Sequence, residues 1–237
     1  MDKRSNIFYL STEQDNTKIC QYLSLNNFIS HLMRNKYYIR RKNLFKDVNE
    51  RTLPLKFLFI PTEALSDTDA NVTQTSQISN LKQSEKLKNY KELSNCFVSC
   101  WTKEVSQNSL MWESYAHKYG VCITSTIFNF IASFKDTEFQ NYDTYCAPVS
   151  YRHIDFIDTP EDLLFVKDPL YRIESEIRFL FFPKEKSATN HSNIWLHYDY
   201  NLMIDEVILS PFFSSDTASF IKNCLEKQFN LNVKHSK

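Results

Sequence analysis

The chain has 237 residues, 42% of them hydrophobic and 24% charged, with 28 basic residues balanced by 28 acidic ones. Zero net charge excludes the broadly cationic surface by which non-specific nucleic-acid binders displace counterions, leaving room only for a local basic patch. A single glycine, Gly120, excludes the glycine-rich phosphate cradles of dinucleotide-fingerprint and P-loop proteins, so any nucleotide must be held by side chains and ordinary backbone.

In chain order, residues 6–11 read as a short strand, and residues 17–35 as a helix carrying Ile19, Leu23, Phe28, Ile29, Leu32 and Met33 on one face. Tyr37-Tyr38-Ile39 reads as a strand running into the basic cluster Arg40-Arg41-Lys42. The stretch 64–93 is polar and poor in apolar residues. Its first half is expected to be a long loop insert and Lys82–Leu93 a solvent-facing helix. Cys96–Trp101 is a strand, followed by a helix capped by Ser109 and stopped by Gly120. Val121–Ser125, Pro148–His153, Ile173–Phe182 and Glu206–Leu209 are further strands, and Leu231–His235 a last one. Pro160–Phe165 and Ser215–Gln228 are expected helices. Clustered strands without regular β-α alternation predict an α+β fold: a mostly antiparallel or mixed sheet with flanking helices, in one domain over 1–237.

The 19 Phe and 13 Tyr predict a core built from rings. Six scattered cysteines form no CxxC element, and no signal peptide is expected at Met1-Asp2-Lys3-Arg4. Apolar runs such as Phe57–Ile60 are too short to span a bilayer. The expectation is a cytoplasmic protein with reduced thiols, no membrane contact and no metal.

Three segments have the residue types for chemistry. If Tyr171–Arg178 is a strand, its period of two puts Arg172, Glu174, Glu176 and Arg178 on one face and Ile173 and Ile177 on the other. Two carboxylates between two guanidinium groups can tune each other and bind a sugar or a cationic substrate, but a solvated face of alternating charges has the same pattern. On that second reading, substitutions there cost only about ±0.5 kcal/mol. In the Ser109–Ile123 segment, Trp112, Tyr115 and Tyr119 share a helix face, suited to core packing or to a wall for a nicotinamide or base; His117 lies beside it as surface. In Tyr38–Arg51, basic residues followed by Asp47 and Glu50 suit phosphate contacts or an exposed polar loop.

A further set of short motifs runs through the chain: Phe8-Tyr9, the Phe45–Glu50 loop, Cys96-Phe97-Val98-Ser99-Cys100-Trp101, Met111-Trp112-x-x-Tyr115-Ala116 and Gly120-Val121-Cys122-Ile123. It continues through Val149-Ser150-Tyr151, Lys167 with Tyr171-x-x-Glu174-x-Glu176-x-Arg178, and Glu206–Pro211. In these motifs the chain resembles the AbiGi-type abortive phage resistance proteins of bacteria. Val48 stands where relatives tend to carry proline. The order of Arg40 (or Arg41), Ser99 and Glu174/Glu176 also resembles the Arg-Ser-Glu class of ADP-ribosyltransferases.

These resemblances imply an effector or toxin of anti-phage defence that uses NAD as substrate and modifies a macromolecular acceptor, nucleic acid or protein. The implied catalytic residues are Glu176, Glu174 and Ser99. Those implied to bind NAD are Arg40, Tyr9, Trp112, Tyr115 and Arg178. Glu176 would meet the ribose and Glu174 the acceptor. The rivals are a non-enzymatic binding or sensor module that grips a phage, antitoxin or regulatory partner through Glu174, Glu176 and the Trp112 face, and a nuclease collecting Mg²⁺ on Asp47, Glu50, Glu174 and Glu176.

Overall fold

Aromatic and β-branched residues dominate the strands, and they assemble into one large sheet with helices against it. The computed structural model describes residues 7–9, 15–44, 95–103, 109–153, 164–185 and 191–236. Its strands are β1 (Ile7–Tyr9), β2 (Lys18–Ser24), β3 (Lys36–Arg41), β4 (Phe97–Thr102), β5 (Gly120–Thr126), β6 (Tyr142–Pro148), β7 (Ser150–Tyr151) and β8 (Val166–Lys167), then β9 (Glu176–Pro183), β10 (Asn193–His197), β11 (Glu206–Leu209) and β12 (Val233–His235). The helices are α1 (Leu25–Arg34), α2 (Ser109–Ser114), α3 (Ile127–Ala132), α4 (Asp136–Phe139), α5 (Tyr200–Met203) and α6 (Ser215–Phe229). The main sheet has ten strands in the order β1-β6-β9-β4-β2-β5-β11-β12, with the β3–β10 pair branching off β4. Its pairings are antiparallel except β1 with β6 and β11 with β12, and β7 and β8 form a separate parallel pair. This is an α+β arrangement with a mixed, mostly antiparallel sheet.

One sheet face carries the ring-built core. Phe97 and Trp101 of β4 and Ile177, Phe179 and Phe181 of β9 pack against Phe28 and Leu32 of α1 and Phe130 and Ile131 of α3. Phe130 is the hub, with ring centroids 4.4 Å from Phe179, 5.1 Å from Trp101 and 5.0 Å from Phe134. Burying each such side chain contributes roughly 1.5–3 kcal/mol, and each well-oriented ring pair about 0.5–1.5 kcal/mol more. The opposite face holds two smaller clusters. Met111 and Trp112 cover Cys20, Tyr22 and Cys122, while Leu164 covers Cys96, Val98 and Leu180.

The expected helix over 17–35 divides into a strand and a helix. Residues 18–24 form a seven-residue ladder with β5, from Lys18↔Thr126 to Ser24↔Gly120. Ser24 then caps α1 by accepting the Asn27 N–H, and Asn35 closes the helix in the left-handed region at φ 49°. The helix after Ser109 also ends early, at Ser114, so Trp112 is buried while Tyr119 is exposed. His117 and Lys118, at φ 52° and 66°, make the turn assigned to Gly120, which instead opens β5 without a positive φ. The strand expected over 148–153 is the end of β6 followed by the short β7. Strands β1, β3, β4, β5, β11 and β12 and helix α6 lie near their expected positions; β10, α3, α4 and α5 were not foreseen. The polar stretch 64–93, the helix over 82–93, Asp47 and Glu50 lie outside the described residues, as do residues 160–163 of the 160–165 helix.

The six cysteines carry free thiols. Among the described residues no helix is long and apolar enough to cross a membrane.

Close approach is what requires glycine at 120. A Cβ there would press on the Leu23 carbonyl oxygen and lie 2.7 Å from the Ala116 oxygen and 2.8 Å from the Ala116 Cβ. Two of those three atoms are backbone, so relief requires moving β2 and the 115–119 turn. Gly120→Ala is expected to cost at least about 1–3 kcal/mol, the range for overpacking a filled site, read as a lower urea midpoint at unchanged slope.

Candidate functional site

Strand β4 runs between two neighbours that diverge. Beside its start it pairs with β3 (Arg40↔Val98, Arg41↔Phe97), and at its end with β2 (Cys20↔Thr102). Between these contacts, along Ser99–Trp101, the sheet opens. A cavity of about 850 Å³ lies at the opening, within the usual size range of ligand sites.

Side chains close the gap in the ladder. Gln21 donates from Nε2 to the Cys100 carbonyl at 2.9 Å and accepts the Tyr37 hydroxyl on Oε1 at 2.8 Å. The hydroxyls of Tyr37 and Ser99 are 2.8 Å apart, and Trp101 Nε1 donates to Ser99 Oγ at 3.0 Å. Ser99 is thus held by two aromatic side chains at the cavity floor. His31 of α1 lines the same end, 5.3 Å from the Tyr37 ring, and burial lowers its pKa to about 4, so the imidazole is neutral at physiological pH. Apart from Arg40, this end is uncharged, aromatic and rich in hydroxyl and amide groups.

The other end is ionic. A 3₁₀ segment (Pro169–Glu174) opens on Asp168, whose side chain accepts the Leu170 N–H, and closes on Ser175 in the left-handed region at φ 41°. That turn brings Glu174 beside Glu176, the first residue of β9. Lys167 Nζ lies 2.6 Å from Glu174 Oε2 and 3.3 Å from Glu176 Oε2. Arg178 grips Glu176 from the far side, Nε to Oε1 at 2.7 Å and Nη2 to Oε2 at 3.2 Å, while its Nη1 donates to the Leu164 carbonyl at 2.7 Å. Burial alone would raise the Glu176 pKa. Arg178 and then Lys167 outweigh it and hold the carboxyl down at about 2, so Glu176 is ionised. The Tyr115 ring is partly exposed, but its hydroxyl donates to Glu174 Oε1. Burial raises its pKa far above the ordinary tyrosine range, and Lys167 only partly opposes this, so Tyr115 remains a donor.

The expected strand over 173–182 therefore begins at Glu176. Arg172, Glu174, Glu176 and Arg178 do not share a strand face, and Ile173 is exposed instead of facing the core. The solvated-face reading also falls, because Glu174, Glu176 and Arg178 are all buried.

Arg40, Ser99, Tyr115, Glu174 and Glu176 all line the cavity. Arg40 pairs across from Val98, Val98 from Leu180, and Thr102 from Glu176, so Arg40 and Glu176 lie on the same sheet face. Ser99 belongs to the other face and reaches the cavity through the opening. Trp112 and Arg178 are buried outside the lining: Trp112 packs edge-on to Tyr22 at 4.9 Å, and Arg178 holds Glu176. Tyr9 sits on β1, separated from β4 by β6 and β9, so the structure does not bring it to this group. His117, expected at the surface, is exposed and also lines the cavity. Sequence reasoning did not assign site roles to Gln21, His31, Tyr37 and Lys167. Gln21 had a signal, since it is polar on the same strand parity as the apolar Ile19 and Leu23.

Among the described residues no group of three or more His, Cys, Asp or Glu is placed to hold a metal ion. No protein-family model, curated protein or solved structure gives a significant match to the chain.

Folding depresses the Glu176 pKa, so its stabilisation is fully present above the ordinary glutamate value of 4.5 and is lost as pH falls towards about 2. A depression of this size is worth on the order of 3 kcal/mol. Urea unfolding between pH 6 and pH 3 is expected to show about 2 kcal/mol of this loss in the wild-type chain and a flatter profile in Glu176→Gln. At neutral pH the same substitution is expected to cost about 3–5 kcal/mol, because Arg178 stays buried without its counter-charge.

Proposed function

We propose that the chain is an NAD-cleaving transferase of the ADP-ribosyltransferase kind, acting as an effector in bacterial defence against phage. One observation carries the chemical part: side chains from separate segments of the fold meet in one cavity with an ionised carboxylate, Glu176, at its floor. The defence setting rests on the sequence resemblance. Arg40, exposed and without a partner among the described residues, is suited to the diphosphate. Ser99, Tyr37 and Gln21 offer hydroxyl and amide groups to a planar carboxamide such as nicotinamide.

In the reaction, the bond between C1′ of the ribose and the nicotinamide nitrogen breaks. Its electron pair leaves with neutral nicotinamide, and positive charge develops over C1′ and the ring oxygen. Glu176, bonded to the ribose 2′-hydroxyl, stabilises that charge without having to reorganise. An acceptor group of a macromolecule then attacks C1′ and releases its proton to Glu174.

One observation favours a non-enzymatic binding module instead: the Glu176 oxygens already accept Arg178 and Lys167. Incubation with NAD labelled on both its nicotinamide and its adenylate, together with lysate from infected cells, separates the two readings. Nicotinamide release and transfer of ADP-ribose support the enzyme; a folded chain that binds NAD or a partner without releasing nicotinamide supports the module.

Arg40→Met tests the site with little risk to the fold. It is expected to leave stability within about ±0.5 kcal/mol while weakening NAD binding roughly 10- to 100-fold, the worth of one charge-assisted contact. Calorimetric titration and thermal unfolding read both. Glu176→Gln, assayed where it is folded, is expected to lower nicotinamide release by about 10²–10³.

A further inference from the structure

The geometry points to Lys167 as a positioning residue that keeps Glu174 and Glu176 ionised together and fixes the separation between them. Its use in catalysis rests on the transferase reading; the charge role itself does not. Among the described residues Lys167 is the only group that bonds both carboxylates, at 2.6 and 3.3 Å, and its side chain is 9% exposed. Its backbone comes from β8, a two-residue strand outside the main sheet, while Glu174 ends the 3₁₀ segment and Glu176 begins β9. The ammonium is thus the tie between three separate pieces of chain.

The charge balance shows what it does. Among the described residues, two cationic side chains, Lys167 and Arg178, face the two buried carboxyl groups of Glu174 and Glu176. Without Lys167, two carboxylates would share one guanidinium. Arg178 cannot replace Lys167, because two of its nitrogens are engaged with Glu176 and the third with the Leu164 carbonyl. Among the described residues, the other groups facing the ammonium bring no positive charge: Tyr171 of the 3₁₀ segment lies with its ring 4.8 Å away, Tyr115 donates a neutral hydroxyl to Glu174, and Tyr151 of β7 meets the Glu176 N–H. Cys100 of β4 supplies only a thiol hydrogen bond to Glu176. Two close carboxylates with one counter-charge cannot both remain ionised away from water, so one takes up a proton. A proton on Glu176 removes the charge that stabilises the ribose cation; a proton on Glu174 removes the acceptor-side base. A lysine suits this bridge because its ammonium is a point charge that two acids from different segments can approach, whereas the flat guanidinium fork pairs best with one carboxylate.

The test is a carboxyl titration of the whole chain labelled with ¹³C at the glutamate side chains, comparing wild type with Lys167→Met. The pair's upper midpoint is expected to rise by at least about one pH unit, a tenfold gain in proton affinity. An unchanged midpoint in folded Lys167→Met overturns the proposal. If that variant does not fold, Lys167→Met/Glu174→Gln is compared with Glu174→Gln: Glu176 is expected to titrate at least about one pH unit higher in the double variant, and an unchanged midpoint overturns the proposal.

The pH profile of nicotinamide release provides the catalytic reading. Lys167→Met is expected to move its acid limb upward by the same interval as the titration, with Lys167→Arg in between. An acid limb that stays in place while the titration moves overturns the catalytic part. If wild type releases no nicotinamide at any pH, the transferase reading fails, and the titration alone upholds or overturns the charge role.

Discussion

Arg178 lies at the centre of the ionic end of the molecule. A fully buried guanidinium has a large desolvation cost, which its contacts offset only because all are in place at once: Glu176 on two nitrogens and the Leu164 carbonyl on the third. Glu176 cannot turn away from Arg178 without breaking two of the bonds that offset that cost. The carboxylate is therefore rigid, and Lys167, Glu174 and Tyr115 are arranged around a fixed point. A rigid charge at a cavity floor is the kind of preorganisation that electrostatic catalysis requires.

The opening along Ser99–Trp101 has the complementary role. Splaying two strands leaves ladder groups without neighbours, a cost that Gln21 reduces by reaching the Cys100 carbonyl. The same splay lets Ser99 and Tyr37, which belong to the core side, open towards the face that carries Glu176. A continuous sheet would have kept the hydroxyl end and the ionic end on opposite sides.

The α+β class was legible because strand patterns clustered, and Glu206–Leu209 emerged with its expected bounds. Strand β2 was hidden by an ambiguity of spacing: Ile19 and Leu23, four apart, satisfy the period of a helix and of a strand alike. The decision came from the ladder with β5, a tertiary contact that no local window contains. Around Glu174 the period-two reading ran through a turn. Asp168 followed by Pro169 was a sequence signal for a helical start there, since proline suits a first helical position and aspartate caps it. The left-handed Ser175 had no comparable signal. Arg40, Ser99, Tyr115, Glu174 and Glu176 could be named from residue type and order. Lys167 stood in the motif with Glu174 and Glu176, but its role could not be read there, because it bridges two segments that only the fold brings together.

The branched sheet also has a consequence for how the chain reaches this structure. Strand β4 pairs with β9 through Phe97↔Phe181, and β1 pairs with β6 through Ile7↔Thr144, so partners lie far apart along the chain. Loops that long must close before β4 gains its ladder with β9 or β1 its ladder with β6, which makes folding slow for a domain of this size. During synthesis β4 emerges well before β9, and its apolar Phe97, Val98 and Trp101 wait without their main neighbour. The nascent chain therefore passes through a stage with an open, aromatic strand edge, the state in which chaperone capture competes with aggregation.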